Sequence, residues 1–193
     1  LSLEETLKRT ESALDLSRIS GLGFAESVTS ITTALNSFNK AALSAETITN
    51  KLVAVDVKFA VSAKDLSQAI SRVGSSAEEA GINFDQLNAG VTAVQQITGR
   101  GGAVIGNSLK TIFTRVQRPE VLRQLQELGV AVRDQNGALL DAITIFQNYG
   151  RVRENLNQVE KASTDELLGG VFQINQLKAL TRDLTSANSI YTR

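Results

Sequence analysis

Apolar residues recur at Leu3, Leu7, Leu14 and Ile19, close to helical spacing, while Glu4, Glu5, Lys8, Arg9 and Glu11 fill the other faces. One helical turn takes about 3.6 residues, so this pattern predicts an amphipathic helix, which the glycines at Gly21 and Gly23 should end. Residues 24–61 contain neither Gly nor Pro, and Val28, Ile31, Leu35, Phe38, Ala42 and Ala45 keep a spacing of three to four. That predicts a long helix, broken at most once, which would span about 55 Å if continuous at about 1.5 Å per residue.

After Val61 the texture changes. Ser62 and Asp65 have the spacing of a capping box, predicting a helix through Leu66, Ala69, Ile70 and Val73 that stops at Gly74. A short helix over 76–80 should stop at Gly81, and Asn83 should cap a helix over 84–98. Gly99, Gly101 and Gly102 suit a turn into a helix over 102–115, with Gly106 permitting close helix packing. Pro119, the single proline, fits a first helical turn and opens 120–128, with Gly129 as the stop. Val130 to Val132 and Ala138 to Leu140 flank a turn containing Asn136 and Gly137, and this segment reads as a small β-hairpin. Helices are expected again over 141–149, 152–162 and 164–184, the last interrupted at Gly169 and Gly170. No repeat of fixed period is visible. The fold class expected is all-α: a long N-terminal helix, then a bundle of short Gly-punctuated helices with one small β-hairpin, elongated and oligomeric. The division expected is an extended helical segment over 1–61 and a helical domain over 62–193.

Composition narrows the chemistry. The 193 residues are 42% hydrophobic but 5% aromatic, so the core must be built from Leu, Ile, Val and Ala. With no Cys and no His, disulfides, thiolate nucleophiles, imidazole bases and the two commonest transition-metal ligands are missing. Twenty basic residues balance twenty acidic ones, which argues against a general polyanion binder. The apolar stretch 52–61 is interrupted by Asp56 and Lys58 and is far shorter than the roughly 20 residues of a membrane span. A chain that opens at Leu1 inside a helical pattern reads as a fragment of something longer. These observations favour a structural or interaction protein.

Three constellations carry candidate chemistry. Gly101, Gly106 and Ser108 fit the spacing of a phosphate-binding loop, but Asn107 stands where the lysine that reaches the phosphates is needed, and the preceding residues read as helix rather than strand. A glycine turn is the simpler reading. The adjacent carboxylates Glu78–Glu79 and Asp165–Glu166 read as first-turn residues favoured by the helix dipole rather than as an acid–base pair. Lys110, Arg115, Arg118 and Arg123 form the densest basic stretch, interleaved by Asn107, Gln117 and Gln124 without aromatic residues to stack on bases, and read as a solvated or subunit-facing helix surface.

Taken in order, these landmarks resemble a known family. The Ser62-to-Ile70 helix, Val73 to Ala77, and the Ala80–Gly81 turn come first; Phe84 to Leu87 and Ala93 to Ile97 follow. Gly99, Gly101 and Gly102 then lead into Gly106 and Leu109, with Asn107–Ser108 departing from the commoner Thr version. Pro119, Leu128–Gly129–Val130 and Asp134 to Gly137 come next, and Leu168, Gly169, Gly170 and Gln173 open the closing helix. In this order, residues 58–185 resemble the core region of tail tape measure proteins of tailed bacteriophages. The resemblance implies an elongated helical virion protein lying in the tail lumen or tip, in several copies such as a trimer or hexamer, that templates tube polymerisation and leaves ahead of the DNA. It implies the tail tube protein, distal tail or baseplate hub proteins and tail assembly chaperones as partners, and contact with the host membrane during ejection. It places the protein in the host cytoplasm during assembly, and it carries over no catalytic residue, metal, cofactor or specific nucleic acid. A ruler of α-helix would have a defined length per residue. Two other classes stay open: a membrane-active, channel-forming helical segment, and a non-catalytic part of a tail-associated cell-wall hydrolase.

Overall fold

The computed structural model describes residues 2–192. Within them the chain forms nine α-helices: α1 (Leu3–Ser20), α2 (Phe24–Ser37), α3 (Ala45–Lys58), α4 (Ala63–Glu79), α5 (Phe84–Thr98), α6 (Gly102–Val116), α7 (Pro119–Glu127), α8 (Ala142–Arg153) and α9 (Gln158–Leu184). Local chemistry explains most of their ends. Ser2 and Glu5 exchange side-chain-to-backbone bonds at the start of α1, and Asn83 and Gln86 do the same for α5, Asn157 and Glu160 for α9. Each box satisfies two of the amides that a helix start leaves unpaired. Pro119 occupies the first turn of α7, where its missing N–H costs nothing.

The long helix expected over 24–61 is broken once, into α2 and α3. Phe38 leaves helical geometry, residues Asn39–Ala41 form a 3-10 turn, and Ala42 takes a positive φ of 48°. Two contacts hold the break. Phe38 is buried edge-on against Phe84 of α5, with ring centroids 5.5 Å apart, and Ser44 caps α3 by accepting from the Thr47 amide at 3.0 Å. Consequently α1, α2 and α3 pack on one another, and α2 and α3 pack on α4. Residues 2–61 are therefore no extended rod: Leu16, Ile31, Phe38, Ile48 and Leu52 share one apolar core with α4 to α9.

Two further expectations change. α4 runs through Gly74 to Glu79, absorbing the separate helix expected over 76–80; Gly74 serves not as a stop but as a packing site, where a Cβ would come within 2.7 Å of Ser37 Oγ on α2. α8 continues to Arg153 and α9 starts at Gln158, so no helix spans 152–162. The hairpin is also corrected. No strand occurs among the described residues; Arg133 and Leu139 form one isolated antiparallel bridge. The Asp134 carboxylate accepts from the Asn136 and Ala138 amides at 2.9 and 2.8 Å, tightening the loop around one side chain. Val130 and Val132 are buried while 133–139 is exposed, and only Leu140 of the returning segment packs on the core, so pairing stops after the backbone bonds Asp134 to Ala138 and Leu140 to Val132, too short to make strands.

Candidate functional site

The largest helix–helix contact is the crossing of α4 and α6, and it is built from the glycine-rich stretch. A Cβ on Gly102 would fall 1.9 Å from the Asp65 carbonyl oxygen, and one on Gly106 would fall 2.7 Å from that of Ala69. Spaced four residues apart, both glycines face α4, so the two backbones meet almost directly. Gly101 caps α6 without a side chain, and the Gly102 amide donates to Asp65 Oδ1 at 2.7 Å. The same carboxylate accepts from Gln95 Nε2 and Ser62 Oγ through Oδ2, each at 2.9 Å. Burial works to raise the Asp65 pKa, but the bonds from Gly102, Gln95 and Ser62 outweigh it and hold the carboxyl below its usual range. The N-terminus of α6, where an anion would be drawn by free amides and the helix dipole, is thus served by a carboxylate from within the chain. The loop is a helix joint.

Removing that carboxylate tests the joint. Asp65→Ala strands the Gly102 amide and the Gln95 and Ser62 side chains, and the loss expected is about 2–3 kcal/mol, the scale of bonds to a charged group. A fall in the urea midpoint at unchanged slope would show it.

The second cluster ties α8 to α9. Asp165, 2% exposed, accepts from Tyr149 Oη and Arg153 Nε through Oδ1 at 2.7 and 2.9 Å. Its Oδ2 accepts from Arg153 Nη2 at 2.7 Å, and Lys178 Nζ stands 3.6 Å away. Burial and the bond to Asp165 push the Tyr149 hydroxyl far above its ordinary value. Burial works to raise the Asp165 pKa, yet the bonds and charges of Arg153, Tyr149 and Lys178 bring it below the usual carboxylate range. A base held this way is saturated with donors, so it fastens helices rather than abstracting protons.

The remaining candidates are dispersed. Glu78–Glu79 lie in the last turn of α4 and Asp165–Glu166 inside α9, so neither pair is a first-turn pair. Glu78 lies 3.8 Å from Lys40. Arg115 leaves the basic stretch to donate to the backbone oxygens of Leu167 and Glu166 at 2.9 and 3.3 Å. Those carbonyls lie in the turn before Gly170, whose φ of 66° and ψ of 170° kink α9. Gly169 is buried before the kink and Gln173 half-buried after it. Gly81, Gly99, Gly129 and Gly137 carry positive φ at the ends of α4, α5 and α7 and in the 130–141 loop, where Asn136 also sits. The partners Tyr149, Arg153 and Arg115 were not legible in the sequence, for they lie 12 to 52 residues from the atoms they bind.

Among the described residues no group of carboxylates could hold a metal ion, and no helix is long and apolar enough to cross a membrane. No solved structure matches the chain. A family model described as phage-related minor tail protein matches residues 1–186.

Proposed function

Because the chain belongs to the phage-related minor tail protein family, we propose that within the phage tail it acts as tape measure and assembly scaffold. It works in several copies in the tube lumen, in contact with tail tube, hub and chaperone proteins, and leaves ahead of the DNA. Its role in the tail is structural. The observation that carries this reading is the match over nearly the whole chain, joined to the order of turns and caps that resembles the tape measure core. A helical chain with few aromatic residues and no disulfide also suits a protein that must pass through a narrow tube, since no covalent cross-link locks its fold.

A ruler is tested by changing its length. Deleting part of 24–61 would strip Ile31, Phe38, Ile48 and Leu52 from the core, confusing misfolding with measurement, so the whole unit should be duplicated in frame in the gene that encodes it. Tails then lengthen, by at most about 290 Å if all of it unrolls into helix at about 1.5 Å per residue, as read by negative-stain electron microscopy. Tails of unchanged length would overturn the ruler and leave a structural tail component.

A further inference from the structure

Two apolar faces have nothing packed on them among the described residues. Leu3, Leu7 and Leu14 lie within one stripe of α1 and are 77%, 61% and 49% exposed, whereas Ala13 and Leu16 on its other side are buried against α2 and α3. Beside the stripe run Glu11 and Asp15, both exposed and in no ion pair among the described residues, with Arg18 at its far end. The second face is a groove of about 370 Å³ between the end of α5 and the part of α9 beyond the Gly170 kink. Phe172, 88% exposed, and Ile97 supply its apolar surface, and Arg100, Lys178 and Arg182 its charge, with no carboxylate in the lining. Arg100 and Arg182 form no ion pair among the described residues. Gln176 also lines the groove, is 6% exposed, and its Oε1 has no hydrogen-bond partner among them.

These faces complement each other. Glu11 and Asp15 are four residues apart on α1, and Lys178 and Arg182 four apart on α9, so each pair spans about 6 Å at about 1.5 Å per residue. Leucines flanked by acids face an aromatic groove flanked by cations. α1 packs on α2 and α3 while α9 packs on α5 to α8, so a copy that offers its α1 keeps its own groove free. We propose that copies of this chain associate head to tail, the Leu3–Leu7–Leu14 face of α1 in one copy seated in the α5/α9 groove of the next. Leu7 and Leu14 cover Phe172 and Ile97, and Glu11 and Asp15 meet Lys178 and Arg182. Such a contact joins two different patches, so it propagates from copy to copy. The inference rests on the multi-copy reading above and assigns it a surface.

Sedimentation of the 193-residue chain with two variants tests it. Leu7→Glu alters only the α1 face and Phe172→Glu only the groove, both at exposed positions. The mass of the unaltered chain should rise with concentration and the rise should weaken with salt, while each variant alone loses association by at least about tenfold, as for a central apolar anchor. Mixed together, the variants should form a one-to-one complex that grows no further, because only one intact pair of faces remains. A monomer at every concentration overturns the proposal, and the tail-length experiment is independent of that result. Assembly that both variants leave unchanged also overturns it, while sparing the multi-copy reading. Variants that each stay monomeric and do not combine when mixed would show a symmetric contact instead, and that too refutes it.

Discussion

Gly102→Ala should lower the thermal midpoint of this protein by about 6–12 °C. The new methyl would sit 1.9 Å from the Asp65 carbonyl oxygen, a main-chain atom that cannot rotate away. α6 must then lift off α4, loosening Ile105, Leu109, Ile112 and Phe113, all buried in the core. Overpacking a well-filled contact costs about 1–3 kcal/mol, and a backbone collision belongs at or above the top of that range. For a domain of this size each kcal/mol moves the midpoint by about 2–4 °C. Gly99→Asn is the control: Gly99 has positive φ but nothing within 4 Å of a Cβ, and asparagine tolerates that conformation, so little should change. Circular dichroism at rising temperature reads both. A Gly102→Ala midpoint equal to that of the unaltered chain would mean that α4 and α6 do not meet backbone to backbone.

Asp165→Ala should cost about 3–5 kcal/mol at neutral pH, because it leaves the partly buried Arg153 guanidinium and the buried Tyr149 hydroxyl without their acceptor. Tyr149→Phe removes one bond and keeps the ion pair, for about 1 kcal/mol. The effect should also depend on pH. The folded-state pKa of Asp165 is depressed, so its stabilisation is fully present above the unfolded carboxyl pKa of about 3.9. It is lost as pH falls through the lower, folded value. The gap between the unaltered chain and Asp165→Ala, measured by urea unfolding, should therefore be widest near neutrality and narrow only in strong acid. A gap independent of pH would show that Asp165 acts through packing rather than charge.

In the phage tail, both changes should matter through the folded unit rather than through any chemistry at the site. Gly102 and Asp165 each fasten a pair of helices, α4 to α6 and α8 to α9, and neither lines the α5/α9 groove. The Gly102 variant should leave head-to-tail association intact wherever the protein remains folded, which separates it from Leu7→Glu and Phe172→Glu, whereas Asp165→Ala also releases Lys178 of the groove from its ion pair.

Helix class and most helix ends were legible in the sequence, because those signals are local. Ser62, Asn83 and Pro119 act on amides within one turn of themselves, and that chemistry is complete before any tertiary contact forms. The kink at Gly170 was legible for the same reason. Reading failed where a distant contact outweighed local preference. Nothing near Gly74 says that it is a packing glycine inside a helix rather than a stop, since the residue it makes room for is Ser37 on α2. The break at 38–44 depends on Phe38 meeting Phe84, and the failed hairpin on which side of 130–140 finds a core. Spacing cannot show that Asp65 would take the α6 amide or that Asp165 would gather Tyr149 and Arg153, for those partners lie 12 to 37 residues away. The sequence by itself determined a helical, aliphatic chain with its stops and caps in place. Only the tertiary structure decided which helices touch, which carboxylates are spent in holding them, and which apolar faces stay uncovered, because burial and long-range hydrogen bonding depend on what the rest of the chain brings alongside.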